Sequence, residues 1–334
     1  MRATTLALVL VLVGPGARAQ DGPAARITDK LGRDAVALAP LVSAGLAKEF
    51  LAATARLVEP TAREVYRDRE RGIAVTPDAY RSLGAAEQAG LVKREFPPVF
   101  YYETAYGSPL VYARLIDLAA PYLERGPRPR ILDFGFGTIG HLQLLAHCGF
   151  EAHGVDVEPV FAALYAEPGD TGAHGPGSVA IHTGQWPAEE RLRTAIGDGL
   201  ALITSKNTLK NGYLHPAPPP GTTVDPRKLV HLGVSDEEFV ARVHGALRPG
   251  GLFLIYNICP PQNPPGEEYL PYADGTCPFP RALFERYSFE VIAFDALDQE
   301  WVLDCFTALG YDEGKPRAEL AKNYFCWYTL VRRR

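Results

Sequence analysis

The chain has 334 residues, 47% of them hydrophobic and 22% charged, and its 34 basic and 39 acidic side chains leave a formal net charge of -5. That composition excludes a disordered, collagen-like or coiled-coil chain. The acidic balance argues against a general nucleic-acid or anionic-membrane binder, which would carry excess Lys and Arg.

The N-terminus has the tripartite pattern of a secretory leader. Arg2 supplies the charge, residues 6–13 are an unbroken apolar run, and Gly14-Pro15-Gly16 breaks it. Ala17 and Ala19 then offer small residues to a signal peptidase, with cleavage expected after Ala19. The run is too short to span a bilayer. The expectation is therefore a secreted or periplasmic protein with no stable membrane insertion after cleavage. An uncleaved anchor and a misassigned start are the competing readings. Removing the leader takes away two arginines and no acid, which deepens the negative charge.

Residues 20–98 read as a helical N-terminal extension. Leu38, Leu41, Val42, Leu46, Phe50, Ala53 and Leu57 recur at steps of three and four, predicting a helix over 38–58 ended by Pro60. Thr76-Pro77-Asp78 predicts a further helix start. After Pro97-Pro98 an aromatic stretch leads into a helix over 109–123. From Arg130 onward, short β-branched and aromatic runs alternate with helical patterns, the signature of βαβ units on a mainly parallel sheet. Residues 99–334 are thus expected to form one α/β domain.

Its central motif is Asp133-Phe134-Gly135-Phe136-Gly137-Thr138-Ile139-Gly140, which ends a predicted strand and opens a helix. A strand turning through glycines into a helix lets backbone approach a ligand at the helix N-terminus. A second strand ends in Asp156, whose two oxygens suit a ribose diol. The spacing Gly135-x-Gly137-x-x-Gly140 satisfies the dinucleotide fingerprint. Asp133 speaks against it, because a carboxylate there would repel a pyrophosphate and suits a cationic ligand.

These residues, with Leu247-Arg248-Pro249-Gly250-Gly251 leading into a later strand, resemble the class I S-adenosylmethionine-dependent methyltransferases from about residue 101 to the C-terminus. The resemblance departs at Ile139, where the family has its third glycine. It implies a Rossmann-like fold: a seven-stranded, mainly parallel sheet whose last strand runs antiparallel. Strands are expected at 130–134, up to 156, 178–182, 200–204, 252–256, 289–294 and 324–331. The implied cofactor is S-adenosyl-L-methionine, held by Tyr106, Asp133, Gly135, Phe136, Gly137, Asp156, Val157, Gln185, Trp186 and Ser205. Gln185 would meet the adenine amino group, while Trp186 either stacks on the ring or packs beneath its loop.

Ligands of open α/β sheets sit beyond the carboxyl ends of the strands. The Pro-rich stretches after the fourth and fifth strands fall there and read as walls of an acceptor pocket. Lys206, Asn207 and His215 are the candidate catalytic residues. Lys206 or Lys210 would hold an acidic acceptor, Asn207 would orient an amide or hydroxyl, and His215 is either a general base or a solvent-facing loop residue.

The resulting expectation is methyl transfer to a small-molecule or exported acceptor. The alternatives are an exported non-catalytic binding protein with a degenerate methyltransferase fold, and a nicotinamide-dependent oxidoreductase. The spacing of the five cysteines matches no zinc pattern, and a Cys259–Cys277 bridge across the Pro/Gly-rich loop is a further hypothesis.

Overall fold

The computed structural model describes residues 26–104, 107–124 and 126–334. The expected leader and Tyr106 lie outside the described residues. Among the described residues eleven strands form two sheets. The N-terminal sheet holds β1 (Arg63–Asp68), β2 (Ile73–Val75) and β3 (Val92–Phe96), antiparallel in the order β2-β1-β3.

The large sheet holds β4 (Arg130–Phe134), β5 (Glu151–Asp156), β6 (Gly172–His174), β7 (Gly177–Thr183), β8 (Leu200–Lys206), β9 (Leu247–Cys259), β10 (Phe289–Leu297) and β11 (Phe325–Arg333). Its order is β10-β11-β9-β8-β4-β5-β7-β6. β4 is parallel to β5 and β8, β5 to β7 and β8 to β9, whereas β11 runs antiparallel to both β9 and β10. Six parallel-wound strands and an antiparallel seventh inserted beside the fifth are therefore present. β6 is an eighth, added antiparallel at the edge through the turn at Gly175.

β8 shows why these runs become central strands. Leu200 to Ser205 are all buried, so both faces of the strand are covered and its sequence is nearly continuous in apolar residues. One face packs the helices Ile27–Leu38, Gly45–Ala52, Tyr112–Ala119, Gly140–His147 and Gln299–Ala308 through Leu31, Phe50, Leu115, Leu142 and Val302. The other packs the helices Glu190–Ile196, Asp236–Ala246 and Arg281–Arg286 through Leu192, Phe239, Val243 and Phe284. Among the described residues no helix is long and apolar enough to cross a membrane.

The expectation of a purely helical extension needs correction, because β1–β3 occupy its second half. Nor does one helix run over 38–58. Pro40 removes a backbone donor, and the chain breaks into a 3-10 turn (Ala39–Leu41), the helix Gly45–Ala52 and a second 3-10 turn (Ala53–Arg56). The start at Thr76 is as expected: its side chain accepts from Ala79 N at 3.2 Å, and Pro77 opens the helix Pro77–Ser82. The extension shares the main core. Asp117 Oδ1 accepts from the backbone N–H groups of Ser43 and Ala44 at 2.8 and 2.7 Å, and Trp301 Nε1 donates to Leu41 O at 2.8 Å.

Cys259 and Cys277 are both thiols and are not bridged. Cys259 packs against Gly275, while burial pushes the Cys277 thiol up to about 12.

Candidate functional site

The glycine-rich turn joins β4 to the helix Gly140–His147. Gly135 and Gly137 adopt φ of +78° and +61°, a region that penalises a Cβ. They differ in what lies above them. A Cβ on Gly135 would collide with the Thr208 side chain, whereas one on Gly137 would meet nothing within 4 Å. The open side of this turn is therefore at Gly137. Gly140, packed against Tyr102 and Pro109, lets the helix start close to its neighbours, and Ile139 is fully buried. The Ile139 departure thus serves packing. Phe136 also turns inward, against Phe161 and Tyr165.

Asp156, partly buried at the end of β5, faces this turn. Its Oδ1 accepts from Glu158 N at 2.9 Å and its Oδ2 from Gly137 N at 3.4 Å. Burial raises its pKa to about 7, against these hydrogen bonds and with help from the charges of Glu158 and Asp133. A ligand donating two hydroxyls would stabilise the ionised form. Val157, beside it, is partly buried.

Asp133 is fully buried, and its carboxylate meets protein groups. Tyr112 Oη donates to Oδ2 at 2.7 Å, Thr204 Oγ1 to Oδ1 at 2.5 Å, and His141 Nε2 lies 2.8 Å from Oδ2. The His141 ring stacks on Tyr112 with centroids 3.7 Å apart. Direct contact between Asp133 and a cationic ligand is therefore replaced by a different role: it ties β4, β8 and two helices together beneath the turn. Tyr112, His141 and Thr204 were not read from the sequence. The one usable signal was Thr204, which shares a strand face with Lys206 by the period of two.

The loop after β7 does not present its ring. Trp186 is buried against Phe134 and Phe239, so the packing alternative holds. Gln185 N donates to Glu189 Oε1 at 2.6 Å, and its side-chain amide donates to His231 O at 3.3 Å.

The segment after β8 separates the catalytic candidates. Lys206 is partly buried, with Nζ 5.7 Å from the centre of the Tyr112 ring, and desolvation lowers its pKa to about 8 against the attraction of Asp133. Ser205 is buried and accepts from Leu209 N at 3.3 Å. Asn207, at φ +64°, is held structurally: Oδ1 accepts from Ile258 N at 2.7 Å and N donates to Tyr256 O at 3.0 Å. That leaves its side-chain oxygen committed to β9 rather than to an acceptor. Lys210 is likewise spent, donating to Ile258 O and Tyr272 O at 2.8 and 3.3 Å.

His215 pairs with Asp236 at 2.9 Å beside an open depression of about 550 Å³ that Leu214, Val230, Leu232 and Val234 also line. Leu214 and Leu232 belong to the core beneath Phe239, while Tyr112, whose ring faces Lys206, belongs to the opposite one. Lys206 and His215 are thus on opposite faces of the sheet and are not one catalytic group.

No protein-family model matches the chain, and no curated protein does. Among solved structures, the chain resembles a mycolic acid cyclopropane synthase in complex with S-adenosylhomocysteine, at 15% identity over 70% of this chain and 88% of that one, TM-score 0.42. It also resembles an S-adenosylmethionine-dependent methyltransferase from Geobacter sulfurreducens in complex with S-adenosylhomocysteine, at 15% over 66% and 91%, TM-score 0.37. A third is the [4+2]-cyclase SpnF, at 14% over 70% and 85%, TM-score 0.39. The strand directions described above, mainly parallel with the last strand antiparallel, are those expected of the Rossmann-like methyltransferase fold, and this chain has that fold on its own topology.

Proposed function

We propose that this protein is an S-adenosylmethionine-dependent methyltransferase acting on a small-molecule or exported acceptor that carries an acidic group. The observation that supports it best is the pairing of an open, positive-φ Gly137 with Asp156 at the carboxyl ends of β4 and β5. Asp156 would take the ribose hydroxyls, and the Gly137 backbone would face the methionyl portion. When bound, the donor supplies an electrophilic methyl on a cationic sulfur.

The chain's own part is alignment and proton handling. Among the described residues Lys206 Nζ meets the Tyr112 ring and no ion-pairing carboxylate. With a pKa of about 8 it is charged near neutrality, when it would hold an anionic acceptor group. It becomes a neutral amine, able to accept a proton, as the pH rises. Asn207 keeps Lys206 in place by binding β9. Lys206→Gln should retain product affinity and lose methyl transfer by roughly a hundredfold or more, the scale of a lost acid–base or orienting group. Calorimetry with S-adenosylhomocysteine alongside transfer assays checks this, and equal loss of both would remove Lys206 from the acceptor side.

Export through the N-terminal leader belongs to the same proposal, and mass spectrometry of the mature N-terminus tests it. A degenerate, binding-only protein is the second reading. It is favoured by the Asn207 side-chain oxygen, which is committed to β9 rather than to an acceptor.

A further inference from the structure

The N-terminal sheet is wired to the glycine-rich turn. Arg67, on β1, donates from Nη2 to Glu158 Oε2 at 2.5 Å, and both side chains are about nine-tenths buried. Glu158 in turn accepts from Val160 N through Oε1 at 3.2 Å, and its own N–H donates to Asp156 Oδ1. The other oxygen of Asp156 receives Gly137 N. A continuous line of hydrogen bonds therefore runs from the extension to the open glycine.

We propose that Arg67 is a positioning residue for the ligand-binding carboxylate Asp156, holding the Asp156–Glu158 turn and cancelling the negative charge of Glu158 beside it. The inference rests on the donor-site reading above. Its logic is electrostatic. A ligand's hydroxyls need the ionised carboxylate as acceptor, and two acids, Glu158 and Asp133, oppose that ionisation. Asp133 has its own partners in Tyr112, Thr204 and His141. Glu158 has Arg67, whose like-charged neighbours are Arg69, in the turn after β1, and Arg94, on β3. Without the guanidinium, the Glu158 charge stands uncompensated in a buried setting and Asp156 holds its proton to a higher pH. Ligand binding then shifts to higher pH without losing its maximum.

The test is calorimetry of S-adenosylhomocysteine against wild type, Arg67→Gln, Arg67→Lys and Glu158→Gln across the pH range, with a carbon-13 carboxyl titration of Asp156 in the same ligand-free proteins. Arg67→Gln should raise the Asp156 midpoint by about one unit, giving roughly tenfold weaker binding near pH 6 and unchanged binding near pH 9. Arg67→Lys should restore the wild-type profile, and Glu158→Gln should move the midpoint down. A loss of affinity that is uniform across pH, or midpoints that do not move, overturns the proposal. Failure of wild type to bind at any pH would overturn the reading of the site. The carboxyl titration, needing no ligand, decides separately whether Arg67 controls Asp156.

Discussion

Two aspartates near the carboxyl ends of adjacent strands do different work. Asp133 is enclosed by Tyr112, Thr204 and His141, so replacing one oxygen with an amide would set donors against a donor. Asp133→Asn should cost about 2–4 kcal/mol of folding stability in urea titrations, the scale for breaking a buried charged network. Unchanged stability would contradict the network. Asp156 goes the other way. Its folded pKa of about 7 lies above the ordinary 3.8, so the folded state binds the proton more tightly and stability falls as pH rises from about 4 to 7. Asp156→Asn removes that loss. It should therefore melt a few degrees above wild type near pH 8, with the gap closing near pH 4, as followed by thermal denaturation. Both acids were visible in the sequence. Their division of labour was not, because the three groups around Asp133 come from separate elements.

At the scale of elements, the strand–turn–helix unit was legible because glycine spacing and the β8 apolar run are local signals. The two glycines can still be told apart experimentally. Gly135→Ala should fail by collision with Thr208 as well as by backbone strain. Gly137→Ala meets open space and should cost only about 1 kcal/mol from its positive φ. Its loss of product affinity should exceed that stability cost. Calorimetry and denaturation of the same two variants check the contrast, and full product binding by Gly137→Ala would place the ligand elsewhere.

The N-terminal strands escaped notice for a physical reason. In β1 only Val65 is buried and in β3 only Phe96, so no apolar alternation marks them. They are held by cross-strand pairing and by charges made far along the chain, Arg63 to Asp170 and Arg67 to Glu158. Such partners leave no trace in a local window. Edge strand β6 was missed for its length, three residues.

For the molecule as a whole, the large sheet is mainly parallel and the N-terminal helices are built into its core. Leu31, Leu38 and Phe50 are fully buried in the same core as Leu115 and Leu142. Phe50→Ala should therefore cost about 3–5 kcal/mol in denaturant titrations. Removing residues 26–98 should abolish cooperative unfolding. A truncated chain with an intact transition would show that the large sheet folds alone.

On the proposed function, the carboxyl ends of β4 and β5 hold an S-adenosyl ligand through Asp156. Calorimetry of S-adenosylhomocysteine with wild type and Asp156→Ala near pH 8 tests it most directly. Wild type should bind, and the variant should lose about 1.5–3 kcal/mol, the worth of a charge-assisted hydrogen bond. Equal affinity in both proteins, or binding of NAD in place of S-adenosylhomocysteine, would contradict it.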